Sequence, residues 1–344
     1  ALFNTDIHGL EIYRSDDAGA SWKRTHDAPI EGVYYTYGYW FGQIRVSPTD
    51  PDRIYVLGVP VVTSGDGGKS FTGMNPPSVH VDHHAITFLP GTDAAYYSSN
   101  DGGLYKTTDY GATWTPMNEG MQIAQMYKLG VSPLDPYTIL TGHQDMFTQM
   151  YDGTDWSIFC RNTGDGMECI YEYDNDSIRY VESIKGRILV SFNNYPLYNV
   201  VCTYGGSGVN ANGSWITPFI MHPDHDSTLL VGKAQLWRTT NGGLNFTQVG
   251  NVTGGNTYLI SLAYAHSDPD YIYAAKSNRV FISTDGTTFQ DKTGILPVGS
   301  ASITSIVVCN TNPEKAWVTF SGYSSANKVW YTPDAGNSWI NYST

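Results

Sequence analysis

A short motif returns at near-constant intervals along the whole of this 344-residue chain. A Ser or Thr is followed two positions later by Asp or Asn, then by Gly, then by an aromatic. Clear copies are Ser15-Asp17-Gly19-Trp22, Ser64-Asp66-Gly68-Phe71, Thr107-Asp109-Gly111-Trp114, Thr239-Asn241-Gly243-Phe246, Ser283-Asp285-Gly286-Phe289 and Thr332-Asp334-Gly336-Trp339. Two weaker copies, Asp152-Gly153-Trp156 and Ser191-Asn193, fill the gap between the third and the fourth. The acidic or amide positions are then spaced by 41 to 49 residues from end to end. Self-similarity at such a period marks a repeat architecture, and it has to be read before any single segment.

A second marker keeps phase with the first. Apolar runs are broken by Pro/Asp/Ser turns and followed by another β-rich run, as in IRVSPTDPDRIYVLG from Ile44 and LGVSPLDPYTILTG from Leu129. Pro48, Pro90, Pro133 and Pro223 precede positions 66, 109, 152 and 241 by 18 or 19 residues. Each unit therefore reads as four short strands, A to D, with the motif in the C-to-D turn. Four strands per roughly 45 residues is the arithmetic of a β-propeller blade. The expected fold is all-β, a single β-propeller domain of four-stranded blades over residues 1–344. Eight blades are favoured and seven are the alternative, because the first unit is incomplete at the N-terminus. A fragment of a larger protein is the other reading of that incomplete unit.

The motif has a physical reading of its own. Asp or Asn accepts hydrogen bonds from backbone N–H groups in a tight turn, and Ser or Thr does so more weakly. Gly supplies the positive φ where the chain reverses, and the aromatic buries a large area between neighbouring sheets. Asp17, Asp66, Asp109, Asn241, Asp285 and Asp334 are accordingly expected to be structural.

These repeats resemble the Asp-box propellers, also called bacterial neuraminidase repeats, found in sialidases, sortilin-type receptors and xyloglucan-cleaving hydrolases. VHVDHHAITFLP from Val79, SSNDGGLYKTTDYGATW from Ser98 and TGHQDMFTQ from Thr141 look more specifically like secreted bacterial glycosyl-hydrolase-like proteins of the sortilin type. The resemblance implies a secreted or cell-surface protein that binds, and in some members hydrolyses, extracellular glycan. The alternative it implies is a non-catalytic, sortilin-like protein-binding or assembly module of a surface complex.

Composition narrows the partners. With 19 basic against 32 acidic residues the formal net charge is -13, which argues against nucleic acid, whose phosphates need a basic face. No apolar run approaches the roughly 18 residues of a membrane span. A polysaccharide or glycan, or a protein partner, is the expected ligand. The cysteines Cys160, Cys169, Cys202 and Cys309 do not make a disulfide framework. Cys160 and Cys169 are near enough in sequence to pair, but buried thiols are the favoured reading.

Loops on a rigid scaffold carry sites, so the B-to-C and D-to-A connections are where chemistry is sought. The B-to-C turns hold Asp6, Asp101 and Asp145, the candidate catalytic carboxylates. The D-to-A connections hold Asp82, Asp165, Glu168 and the aromatic stretch VYYTYGYWFG at 33–42, which supplies Tyr37, Tyr39 and Trp40. Aromatics beside carboxylates are the composition of a carbohydrate cleft, where rings meet sugar faces and paired acids do the bond-breaking. TDIHG around Asp6 resembles the turn that holds a catalytic Asp in xyloglucan-cleaving hydrolases, and departs from it at His8. The plain reading of Asp6, Asp101 and Asp145 is turn-capping. On an extended strand His80, Asp82 and His84 share one face by the period of two and make a candidate metal set; a hydrogen-bonded wall is the alternative. No cofactor is expected, with bound calcium or another divalent metal left open. A sialidase is unlikely, because no F/Y-R-I-P motif or arginine triad appears among the nine arginines.

Overall fold

The computed structural model describes residues 10–343, apart from 36, 39, 75, 122, 193–197, 204–207, 210, 324 and 325. Asp6, Tyr39 and Asn193 therefore lie outside the described residues. The rest is all-β, with two 3-10 turns at Arg161–Thr163 and Ile184–Gly186. Eight antiparallel sheets follow one another in chain order, and seven of them have four strands. The first has two, Tyr13–Arg14 and Lys23–Arg24, extended by a bridge between Leu10 and Ile30. The chain forms two compact units, residues 1–123 with the first three sheets and residues 124–344 with the other five.

Each four-stranded sheet is graded from one edge to the other. The second strands are the most buried: Ile54–Leu57, Arg179–Ser183 and Ile272–Lys276 are buried at every position. A strand with a sheet packed on each face has no solvent side, so burial is continuous rather than alternating, even across Arg179, Glu182 and Ser183. The last strands are mostly two residues long and exposed, as in Thr115–Pro116, Thr247–Gln248 and Gln290–Asp291. Short edges of this kind give little template for pairing with another chain.

The core is divided in the same way. Six buried clusters each lie between two consecutive sheets of one unit. Strand alternation distributes the side chains: on Ile272–Lys276, Ile272 and Ala274 face the sixth sheet while Tyr273 and Ala275 face the eighth.

The repeated turn is built on one plan, which the shorter copy at Asp285 varies by taking its N–H donors from Thr287 and Thr288. At Asp109, Thr107 donates its hydroxyl to Oδ1 at 2.8 Å, the N–H and hydroxyl of Thr113 donate at 2.8 and 2.6 Å, and the Gly111 N–H donates to the Thr107 hydroxyl at 2.9 Å. Asp66 and Asp334 repeat this set with Ser70 and Ser338. Asn241 keeps the two Oδ1 bonds, from the Thr239 hydroxyl and the Asn245 N–H, which is why the amide is tolerated there. Even the weak copy works, with Asp152 capping Thr154 and Asp155 between the third and fourth strands of its sheet. The aromatic then packs back towards the preceding sheet, as Phe246 and Trp339 do. Trp22, in the first sheet of its unit, has no such neighbour there and is 62% exposed.

None of the four cysteines is in a disulfide, and Cys160, Cys169 and Cys202 are buried in the sheets.

Candidate functional site

Among the described candidates, Asp101 and Asp145 lie in second-to-third strand turns, and Tyr37, Trp40, Asp82 and Asp165 in the links between sheets. In the first unit, Asp101 sits in the turn between Tyr96–Asn100 and Gly103–Thr107. Its Oδ1 lies 2.6 Å from Nε2 of His84, and its N–H donates to the carbonyl of Asp82 at 3.3 Å. The link at 33–42 comes to the same place. Phe41 and Trp40 contact the His84 ring at centroid distances of 5.5 and 6.2 Å, and Tyr37 meets Phe41 edge-on at 6.5 Å. Trp40 is 67% exposed, and Tyr35 and Tyr37 are exposed beside it. The site is an open aromatic surface backed by an imidazole–carboxylate pair.

The histidine cluster is arranged differently from the expectation. The strand begins only at His83, and Asp82 adopts a left-handed φ of 64° with its N–H donated to the Val59 carbonyl. Alternation does not run through Asp82, so His80, Asp82 and His84 do not share a strand face. Among the described residues their ligand atoms do not gather into one set. His80 Nδ1 faces the Val81 carbonyl at 2.9 Å, and His84 is taken by Asp101. His83, which the sequence did not single out, is the buried member; it contacts the Ser98 hydroxyl at 3.1 Å, and burial lowers its pKa to about 4.

In the second unit Asp145 lies in the turn after Thr138–His143 at a φ of 58°. Its N–H donates to Asp165 Oδ1 at 2.8 Å, while Asp165 Oδ2 accepts from the Tyr127 hydroxyl at 3.4 Å. Trp215 Nε1 donates to the same hydroxyl at 3.4 Å. Glu168 pairs with Lys128 at 3.4 Å. Behind them Glu182, with no exposed surface, accepts the N–H groups of Thr217 at 2.8 Å and Gly186 at 3.0 Å. Asp101, Asp165, Glu168 and Glu182 are thus each held by a local partner.

Burial pushes the Glu182 carboxyl up to about 8, against the pull of those N–H donors. The turn carboxylates move the other way: hydrogen bonds hold Asp17 and Asp152 down at about 2, and lower Asp66, Asp109 and Asp285 as well. A depressed carboxyl contributes stability that is present above its unfolded value and lost as pH falls through the folded one. A raised carboxyl reverses the sign, and stability falls as pH climbs from the unfolded value to the folded one. The buried neutral His83 has the opposite pH dependence to Glu182 between about pH 4 and 6.5, so the clear expectation is in acid: Tm drops as pH falls from about 4 towards 2. Calorimetric scans across that range check it, and a Tm unchanged between about pH 4 and 2 would contradict it.

The sequence missed a cavity of about 500 Å³ in the second unit. Its wall is made by the first strands of the five sheets there, Met126–Val131, Cys169–Tyr171, Phe219–His222, Leu259–Tyr264 and Ile303–Cys309. Leu129, Val131, Ile220, Met221 and Val307 line it together with the rings of Tyr171, Tyr173, Phe219 and Tyr264, and Glu168 and His266 also lie on it. Leu129, Val131 and Val307 remain exposed.

No family model matches the chain, and no curated protein matches it in sequence. Among solved structures it is similar to a GH74 enzyme from Niastella koreensis, at 14% identity and a TM-score of 0.31, covering 98% of this chain and 70% of that one. It is also similar to YCF48 from Cyanidioschyzon merolae, at 11% identity and a TM-score of 0.44, covering 87% and 96%. A structure of YCF48 bound to D1 peptide matches at 12% identity and a TM-score of 0.41, covering 84% and 96%. Among the described residues no helix is long and apolar enough to cross a membrane.

Proposed function

We propose that the chain is a non-catalytic binding propeller that works outside the cytoplasm, with its eight sheets as blades and its repeated turns as Asp-box turns. Its ligand is an extended polypeptide segment that places apolar side chains in the cavity of the second unit. The observation that carries this reading is the apolar lining of that cavity, on which Leu129, Val131 and Val307 are exposed aliphatic side chains. Together with the rings of Tyr173 and Tyr264 they offer the contacts that apolar peptide side chains use. The carboxylates support the same reading, because a hydrolase needs an acid free to transfer a proton to its substrate. Asp101 and Asp165 are instead engaged by His84 and by the Asp145 N–H. The net charge of -13 favours neutral or cationic segments.

A second reading, glycan binding, is favoured by one observation, the exposed rings of Tyr35, Tyr37 and Trp40 beside His84 and Asp101. Hydrolysis is the point on which the non-catalytic proposal is most easily overturned. Incubation with β-glucans, xyloglucan and mannans is expected to release no reducing ends above the buffer level. Release that disappears in Asp101→Asn at unchanged Tm would establish a glycoside hydrolase instead.

A further inference from the structure

In the second unit three carboxylates meet where the first strand of the fifth sheet turns into its second. The side-chain oxygens of Glu172, Asp174 and Asp226 lie within 4.8 Å of one another. The repeats show what else occupies this place. In five sheets the residue at the end of the first strand closes the turn with the same backbone bond. The Ser47 N–H donates to the Arg53 carbonyl, that of Leu89 to Ala95, that of Ser132 to Thr138, that of Glu172 to Ile178 and that of Ala265 to Tyr271, at 2.9, 2.9, 2.9, 3.1 and 3.0 Å. Where the residue is serine, its hydroxyl donates to an aspartate of the following sheet, Ser47 to Asp93 and Ser132 to Asp176, each at 3.3 Å. Arg53 adds a guanidinium 3.5 Å from Asp93.

In the fifth sheet the position is held by Glu172, which faces Asp226 of the sixth. Where the second and fourth sheets set a hydroxyl donor against the aspartate, the fifth sets a second acid. Glu172 is 5% exposed, and its electrostatic neighbours are Asp226 and Asp174, with no hydrogen-bond donor among them. A buried carboxylate facing other carboxylates is costly unless a cation joins them. Asp174, exposed on the turn, gives the cluster an open side.

We propose that Glu172, Asp174 and Asp226 bind a calcium ion that ties the fifth sheet to the sixth, in place of the Ser–Asp bond used between other sheets. The donor set is entirely carboxylate oxygen, which suits a hard cation and offers none of the nitrogen or sulfur that zinc prefers. Three acids from two neighbouring sheets supply several oxygens at variable angles, a geometry calcium accepts more readily than magnesium does. Calcium sites on extracellular modules bind at roughly 10⁻⁴–10⁻³ M, so about 10 mM calcium saturates a site of that strength.

The test is the thermal unfolding of the whole chain in EDTA and in about 10 mM calcium or magnesium, for wild type and for Glu172→Ser. That substitution restores the serine found in the second and fourth sheets. Calcium is expected to raise the wild-type Tm by roughly 2–4 °C, magnesium by clearly less, and neither to move Glu172→Ser. Should Glu172→Ser fail to fold, Asp226→Asn with calcium calorimetry decides, with loss of the binding heat expected. No calcium rise in wild type, an equal rise in either variant, or an equal rise with magnesium would overturn the assignment.

Discussion

Tyr96→Ala is expected to destabilise the first unit by about 3–5 kcal/mol, the usual cost of removing a fully buried aromatic. Tyr96 has no exposed surface and stands on the second strand of the third sheet. Its ring meets Tyr55 at 5.3 Å and Phe88 and Trp114 at 5.5 Å each, all edge-on. Tyr55 belongs to the preceding sheet, and Trp114 is the aromatic of the repeated turn. One side chain therefore joins three things: the neighbouring sheet, the strand and the turn. Three of the side chains around the void are rigid rings, so collapse recovers little of the lost contact. Tyr96→Phe isolates the hydroxyl, whose contact is a weak one to the Met74 sulfur at 3.7 Å, and is expected to cost less than about 1 kcal/mol. Urea unfolding of both variants reads the difference. Equal, small losses would mean that the core does not lie between the sheets.

The architecture was legible because each repeat carries its own punctuation. Asp109 and its equivalents bond within five residues of themselves, so the turn is a local object that a sequence shows directly. The prolines near the end of the first strands, in phase with those turns, then separate four strands per unit. The weak copy at Asp152 was found by phase rather than by motif, and its bonds to Thr154 and Asp155 bear that out.

What was not legible depends on conformation or on distance. His80, Asp82 and His84 alternate on paper, but the left-handed turn at Asp82 starts the strand one residue after it. The pairing of His84 with Asp101 spans 17 residues and needs the strand register before it can be seen. Glu172 and Asp226 belong to different repeats, and Glu172 looks unusual only beside Ser47 and Ser132. The cavity was missed for a related reason. Each first strand contributes only a few aliphatic residues, which read as ordinary core until five such strands face one space. Exposed valines and leucines on these strands were the available signal, since an apolar residue on an outward strand position belongs to some other surface.

The second large effect expected concerns the ligand. Val307 is 58% exposed on the first strand of the eighth sheet and lines the cavity. Because the side chain is not part of the buried core, Val307→Asp is expected to fold normally. It sets a carboxylate where apolar groups of the ligand would be buried, and an unpaired charge there costs affinity as well as contact. A peptide selected on the wild-type protein from a random displayed library supplies the probe. The direct measurement is the calorimetric Kd of that peptide for wild type, Val307→Asp and Trp40→Ala. The binding account predicts a loss of about tenfold or more, some 1.4 kcal/mol, in Val307→Asp, with Trp40→Ala unchanged. A Kd that Val307→Asp leaves unaltered while Trp40→Ala abolishes binding would contradict it, and would move the binding surface to the aromatic face of the first unit.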